Sequence, residues 1–264
     1  LILDEIVDNK LKELAERKKD VPLEALRSKM AALTPTRNFR EAISSWRGTN
    51  IIAEIKKSSP SKGVILENYD PEQLARVYEE NGASAISVLT DQKFFGGDLD
   101  DLAKARRVSS LPILAKEFIL DEYQIYEARL LGADAILLIA RILSRKELRE
   151  YLDLASKLEL DCLVEIHTDH EWRRIRGLPL DMVGINNRNL ASLKVDIEVS
   201  FSLIKKIPSE VTVVSESGIG NREDIHRLKE VGVNAFLIGE ALLRSKDVGR
   251  KLRELVGREP LKKR

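Results

Sequence analysis

The side chains best able to move protons stand at the ends of apolar runs. IIAEIKK, residues 51–57, carries Glu54 and Lys56 two positions apart, so on a strand both turn to one face. Lys57 turns to the other face and reads as packed or solvated. PILAKEF (112–118) supplies Lys116, and DCLVEIH (161–167) supplies Glu165. DMVGINN (181–187) brings Asn186 with Arg188 just beyond, and VTVVSES (211–217) ends in Glu216 and Ser217. A single charge at a strand end is ordinarily a solvated rim residue. Five of eight runs ending in ionisable or amide side chains, with both signs of charge, describe the floor and rim of one site, where carboxylates and ammonium groups can exchange protons with a ligand.

A second chemistry is anion binding. SESGIGNRED (215–224) sets Gly218 and Gly220 between an apolar run and a helix start capped by Asn221, and LIGEALL (237–243) sets Gly239 directly before the last helix. Small residues let backbone N–H groups approach an anion, and a helix amino terminus adds partial positive charge. Together they predict a phosphorylated ligand. His167 and His170 in HTDH suggest a metal, but no third ligand follows at a suitable spacing, so both read as loop residues and no metal is expected. No dinucleotide fingerprint follows the first run, which argues against NAD or FAD, and no cofactor is expected. Cys162, deep in an apolar run, reads as a small core residue.

These residues need elements to position them. Eight apolar, β-branched runs begin near positions 51, 84, 112, 134, 161, 181, 211 and 234, and segments with helical spacing lie between them. Asp70–Pro71 has the chemistry of an N-cap followed by a first helical residue, while Ser144 with Glu147 and Thr168 with Glu171 have capping-box spacing. Gly82, Gly132 and Gly232 fall where a helix must end in a left-handed turn. The phrases GASAISVL, GADAILLI and GVNAFLIG form an internal repeat at multiples of a unit of about 25 residues. Eight strand–helix units favour a closed (β/α)8 barrel, the TIM-barrel arrangement, over an open doubly wound sheet. Such a barrel opens its binding site at the carboxyl ends of the strands, where the polar residues fall. The expected division is one domain: a helical extension over residues 1–45, eight units over 46–257 and a tail over 258–264. Leu3, Ile6, Val7, Leu11 and Leu14 give the leader helix a face that packs on the barrel.

Composition excludes several functions. The 264 residues are 43% hydrophobic and 33% charged, and 44 Lys plus Arg against 43 Asp plus Glu leave a net charge of +1. That balance carries no global footprint for nucleic acid or an anionic membrane. No run approaches the ~18 apolar residues of a membrane span, and the amino terminus lacks a signal-peptide core, so a cytoplasmic protein is expected. A single cysteine fits a reducing compartment. A charged fraction above the usual ~25%, with few Met and Cys, predicts heat adaptation. A monomer is expected, because no apolar stripe is left over once the barrel is packed.

Taken in order, IIAEIKKSSPSKG, SVLTDQKFFGGDLDDL, PILAKEFILDEYQI, GADAILLIARIL, LVEIH, GINNRNL, VSESGI and NAFLIGEALL resemble indole-3-glycerol phosphate synthase, and the leader ILDEIVDNKLKELAERKKDVPLEAL extends the likeness over nearly the whole chain. The resemblance implies a carboxy-lyase of tryptophan biosynthesis. Such an enzyme closes the ring of 1-(2-carboxyphenylamino)-1-deoxyribulose 5-phosphate, with loss of carbon dioxide and water. It implies Lys116 as proton donor, with a pKa lowered by burial and by Lys56, and Glu165 as base or stabiliser of the cationic intermediate. Glu54 would hold Lys56 and Lys116. Lys56 and Arg188 would pair with the substrate carboxylate, Asn186 and Ser217 would hydrogen-bond sugar hydroxyls and the amine, and Glu216 would contact the substrate. Phe95 and Phe118 would flank the anthranilate ring, the alternative being ordinary core aromatics. Ser59 would help close a loop hinged at Gly63, and Gly218, Gly239 and Glu240 would hold the phosphate through backbone groups. Glu240 stands where some relatives carry Ser or Thr, so its carboxylate is expected to turn outward. A sugar-phosphate isomerase on the same fold would need a Cys/Asp or paired-Asp set at the strand ends. A non-catalytic phosphate-ligand binding protein would not depend on Lys116 for more than binding.

Overall fold

The computed structural model describes residues 2–45, 48–60, 63–190 and 192–258. Its eight apolar runs form β1 (Asn50–Ile55), β2 (Ala85–Leu89), β3 (Ile113–Lys116), β4 (Ala135–Ile139), β5 (Asp161–Ile166), β6 (Met182–Asn186), β7 (Thr212–Glu216) and β8 (Ala235–Ile238). Each strand pairs in parallel with its neighbours in sequence order, and β8 returns to β1 through the register Asn50↔Ala235 to Ala53↔Ile238. A strand with helices on one face and the barrel interior on the other is buried on both, which is why these segments read as continuous apolar runs.

Alternation along the strands divides the core in two. Ile52, Leu114, Leu137, Leu163, Val214 and Leu237 meet inside the barrel together with Phe39 and Ile43 of the helix Phe39–Ser44. Ile51, Ile86, Ile136, Val164 and Val183 face the outer helices. The Phe39–Ser44 helix stops the amino-terminal end of the barrel. The Arg37 N–H donates to Asp134 (2.7 Å) and the Arg40 N–H to Asp161 (2.9 Å), both at strand starts, and the Asn50 amide donates to the Ile43 and Ser45 carbonyls. Polar groups therefore have one open end of the barrel left, the carboxyl end.

Local punctuation follows the sequence with one instructive departure. Asp70 accepts from the Glu72 and Gln73 N–H groups with Pro71 in the first turn, Ser144 and Glu147 close a reciprocal capping box, and Gly82, Gly132 and Gly232 take φ values of 92°, 90° and 106°. Thr168 accepts from the Glu171 N–H at 3.2 Å, but the Glu171 carboxylate turns to the His167 backbone N–H instead of completing a box. Past Gly239 the chain makes a short helix, Glu240–Leu243, before the last helix, Val248–Val256, so Gly239 precedes an extra turn and not the final helix itself. After β1 a small hairpin pairs Ser58–Ser59 with Gly63–Val64; Ser61 and Lys62 lie outside the described residues, as does residue 259 onward of the expected tail.

The leader is the helix Ile2–Asp20. Leu3, Ile6 and Leu14 are buried as expected, but Leu11 is 53% exposed and Lys10 is 2% exposed. Positions 3, 6, 10 and 14 follow one another at three- and four-residue steps and form a single seam, so a lysine occupies the place that apolar periodicity assigned to its neighbour. Among the described residues no helix is long and apolar enough to cross a membrane.

Candidate active site

Because inward positions alternate, the inward residues nearest the carboxyl ends of five strands are Glu54, Lys116, Glu165, Asn186 and Glu216, and they stand among apolar residues that include Leu137 and Leu237. They line one cavity of about 440 Å³. The other residues singled out in the sequence line it too: Lys56, Ser59, Phe95, Phe118, Arg188, Ser217, Gly218, Gly239 and Glu240.

Lys116 is the hub. Its Nζ lies 2.8 Å from Glu216 Oε2 and 3.3 Å from Glu165 Oε2, and Asn186 Nδ2 donates to the same Glu165 oxygen at 3.2 Å. Lys56 instead pairs with Glu54. The sequence reading gave Glu54 the task of holding both lysines, but the ammonium of Lys116 is held across the barrel by Glu216 and Glu165, and Glu54 reaches it only through the field. Two glycines make room for this. A Cβ on Gly184 would stand 2.2 Å from Glu216 Oε1, and one on Gly239 would stand 2.3 Å from Glu54 Oε1.

The electrostatics correct a second expectation. Burial pulls the Lys116 pKa down, but Glu216, Glu165 and Glu54 together outweigh burial and raise it above the ordinary lysine value. Lys56 does not lower it into the neutral range. Burial likewise pushes Glu165 up, yet Lys116, His167 and the Asn186 amide hold its carboxyl below the usual range. Glu54 behaves alike: burial is outweighed by Lys56, Lys116 and Arg188. Glu216 has fewer partners, since its Oε1 is buried without one, and burial together with the nearby Glu165 charge raises it to about 7. Of the two carboxylates on Lys116, Glu165 stays ionised and Glu216 is the one that takes up a proton first.

A family model described as indole-3-glycerol phosphate synthase matches residues 3–255. Curated relatives carrying that name include proteins of Desulfotalea psychrophila (47% identical, 96% of this chain and 98% of theirs), Dehalococcoides mccartyi strain CBDB1 (46%, 97% and 100%) and Legionella pneumophila strain Paris (44%, 97% and 98%). The chain belongs to the indole-3-glycerol phosphate synthase family. Solved structures of a thiamine phosphate pyrophosphorylase from Pyrococcus furiosus and an N-acetylmannosamine-6-phosphate 2-epimerase from Clostridium perfringens share its fold. Their TM-scores are 0.59 and 0.57 at 15% and 16% identity, over 83% and 80% of this chain and 96% and 93% of theirs.

In this synthase-family barrel the loops after β6, β7 and β8 build the far wall of the cavity. Ser217 and Gly218 are both left-handed (φ 65° and 83°), and a Cβ on Gly218 would meet Val195 at 2.4 Å. A buried amide holds that turn from behind: Asn187 Nδ2 donates to the Ser217 carbonyl (2.9 Å) and to Ser215 Oγ (3.1 Å), while Asn187 Oδ1 accepts from Ser200 Oγ at 2.8 Å. The Glu240 carboxylate does not turn simply outward. It lies between two guanidinium groups, 3.2 Å from Arg244 Nη1 and 3.8 Å from Arg188 Nη2, and those cations offset its charge at this end of the cavity.

The near wall is apolar. The Phe95 and Phe118 rings pack together with centroids 6.0 Å apart, and Ile2, Leu3 and Ile6 of the leader helix reach the same cavity. Lys10 ties that helix down: its Nζ lies 2.9 Å from Glu13, 3.1 Å from Asp91 and 3.2 Å from Glu117. Asp91 caps the helix Gln92–Phe95, and Glu117 accepts from Thr90 Oγ1 (2.7 Å) and from the Phe118 N–H (2.8 Å). Sequence reasoning missed Lys10, Asn187 and His167. The first is a charge on a helix read only for its apolar positions, the second points away from the barrel interior, and the third was read as a loop histidine like His170. His170 is exposed, but His167 is buried beside Glu165. Its position two residues past Glu165 on the same strand face was the available signal.

Proposed function

We propose that this chain works as an indole-3-glycerol phosphate synthase, closing the indole ring of 1-(2-carboxyphenylamino)-1-deoxyribulose 5-phosphate with loss of carbon dioxide and water. The observation that carries this reading is the Lys116 ammonium held between Glu165 and Glu216 at the barrel mouth, facing an aromatic wall on one side and guanidinium groups on the other.

The substrate ring stacks against Phe95 and Phe118, and its carboxylate pairs with Lys56 and Arg188. The phosphate rests on the backbone of Gly218, Gly239 and Glu240, where loops after the seventh and eighth strands of such barrels bind phosphate. Ser59, on the hairpin hinged at Gly63, closes over the ligand. In the first step the ring carbon bearing the carboxylate attacks the ketone carbon, and the ketone oxygen takes a proton from Lys116. Departure of carbon dioxide leaves its electron pair behind to restore the aromatic ring. In the second step the hydroxyl leaves as water with a proton from Lys56 or Lys116, and Glu165 stabilises the cation left behind and then accepts the proton whose loss completes the indole. Asn186 and Ser217 orient the hydroxyls and the amine. The raised pKa of Lys116 keeps it protonated before each turnover, and Glu216, titrating near 7, lies at hydrogen-bond distance to restore that proton afterwards.

This chemistry needs no redox step and no electrophile beyond the lysines, so the purified protein should produce indole fluorescence from the substrate alone, without added metal or nucleotide. A silent assay over a range of temperatures, with folded protein, would overturn the proposal. We further propose a cytoplasmic, heat-adapted monomer of one domain, with residues 1–45 as an extension of the barrel, a reading supported by the charged fraction of 33% and the few Met and Cys residues.

A further inference from the structure

Glu165 has two oxygens with different surroundings. Oε2 faces the cavity, where Lys116 and Asn186 reach it at 3.3 and 3.2 Å. Oε1 faces away, toward His167 Nε2 at 3.3 Å. The other ring nitrogen of His167 lies 3.4 Å from Glu171 Oε2, so both ring nitrogens stand at ion-pair distance from a carboxylate without making a hydrogen bond, and the same Glu171 oxygen accepts from the His167 backbone N–H. Glu171 is fixed in turn by its place in the first turn of the helix Asp169–Ile175, whose start is capped by Thr168. The His167 side chain is 3% exposed and is absent from the cavity lining.

We propose that His167 is a positioning residue for Glu165: its ring stands at ion-pair distance from both Glu171 and Glu165 and attracts one Glu165 oxygen, so that the other faces the cavity. The proposal rests on Glu165 being the base of the reaction. A buried imidazole between two carboxylates is favoured in its charged form, and a cation behind Glu165 opposes the burial that would otherwise protonate it. The charged groups that face the ring are Glu165 on its own strand, Glu171 on the following helix and Glu216 on β7, with Arg141 beyond Glu171. Three acids surround one base. Burial pulls the His167 pKa down, and these carboxylates raise it past its ordinary value. A ring that merely filled space would have no need of this constellation, and the unfinished capping box at Thr168 is its local cost, because Glu171 serves His167 instead.

The test is the pH dependence of kcat for wild type, His167→Gln and Glu171→Gln, with Glu165→Gln as control. The acid limb, which reports ionisation of Glu165, should move to higher pH by about one unit in His167→Gln, so that turnover below the limb falls about tenfold while KM stays near wild type. Glu171→Gln should move it the same way by less. An unmoved limb with turnover lowered evenly at all pH values would reduce His167 to packing and overturn the proposal. If His167→Gln fails to fold, nitrogen NMR of the wild-type ring decides: the imidazolium should persist above the ordinary ~6.5, and a ring neutral from pH 6 upward would overturn the proposal. Substantial turnover in Glu165→Gln would instead sink the base assignment, so the two failures are distinguishable.

Discussion

At the residue scale, one ammonium is shared by two carboxylates at the barrel mouth. Glu165 and Glu216 have the same side chain and the same partner, yet neighbours push them in opposite directions: an amide and an imidazole favour the charge on Glu165, while Glu216 keeps one oxygen in an apolar corner against Gly184. Environment, not residue type, assigns the roles. Glu216 also links pH to stability. Between its ordinary value of 4.5 and its folded value of about 7, the native protein holds a proton that the unfolded chain has already released. Its contribution to stability is therefore present at low pH and lost as pH rises through that window. In Glu216→Gln this part of the pH dependence should vanish from urea-unfolding midpoints measured between pH 4.5 and 7. Lys116 and Glu165 were legible in the sequence because each ends an apolar run. Their meeting with Glu216 was not, since β3, β5 and β7 come together only when the barrel closes.

At the element scale, two features place the site. The first is the pair of glycines on inward positions of β6 and just past β8. Gly184→Ala should force Glu216 off Lys116 and cut kcat/KM by at least about tenfold while far-UV circular dichroism stays native; an active variant would mean that the Lys116–Glu216 contact is dispensable. The second is the leader helix, pinned by Lys10 to the loops that carry Phe95 and Phe118. Lys10→Met keeps the volume of the seam but strands Asp91 and Glu117 in a buried setting. Unfolding measured in urea should show a loss of about 3–5 kcal/mol, and KM should rise as the aromatic wall loosens. Apolar periodicity located this helix and named Leu3, Ile6 and Leu14, but it chose Leu11 over Lys10. A rule that counts only apolar residues cannot see a cation whose burial is compensated by acids from distant segments.

At the scale of the whole molecule, strand count, order and closure followed from the sequence because each depends on local signals: apolar runs, caps and the glycines that end helices. The pKa pattern did not, because it depends on which strand ends face one another across a closed barrel. A lysine expected to be an easy donor is in fact a strongly held ammonium. In the proposed mechanism that held proton reaches the substrate, and this step is what would separate the molecule from a mere phosphate-ligand binder. The decisive measurement compares turnover and the substrate dissociation constant in Lys116→Ala. Turnover should fall about 10²- to 10⁴-fold with binding close to wild type; equal losses in both, or turnover that survives, would contradict the account.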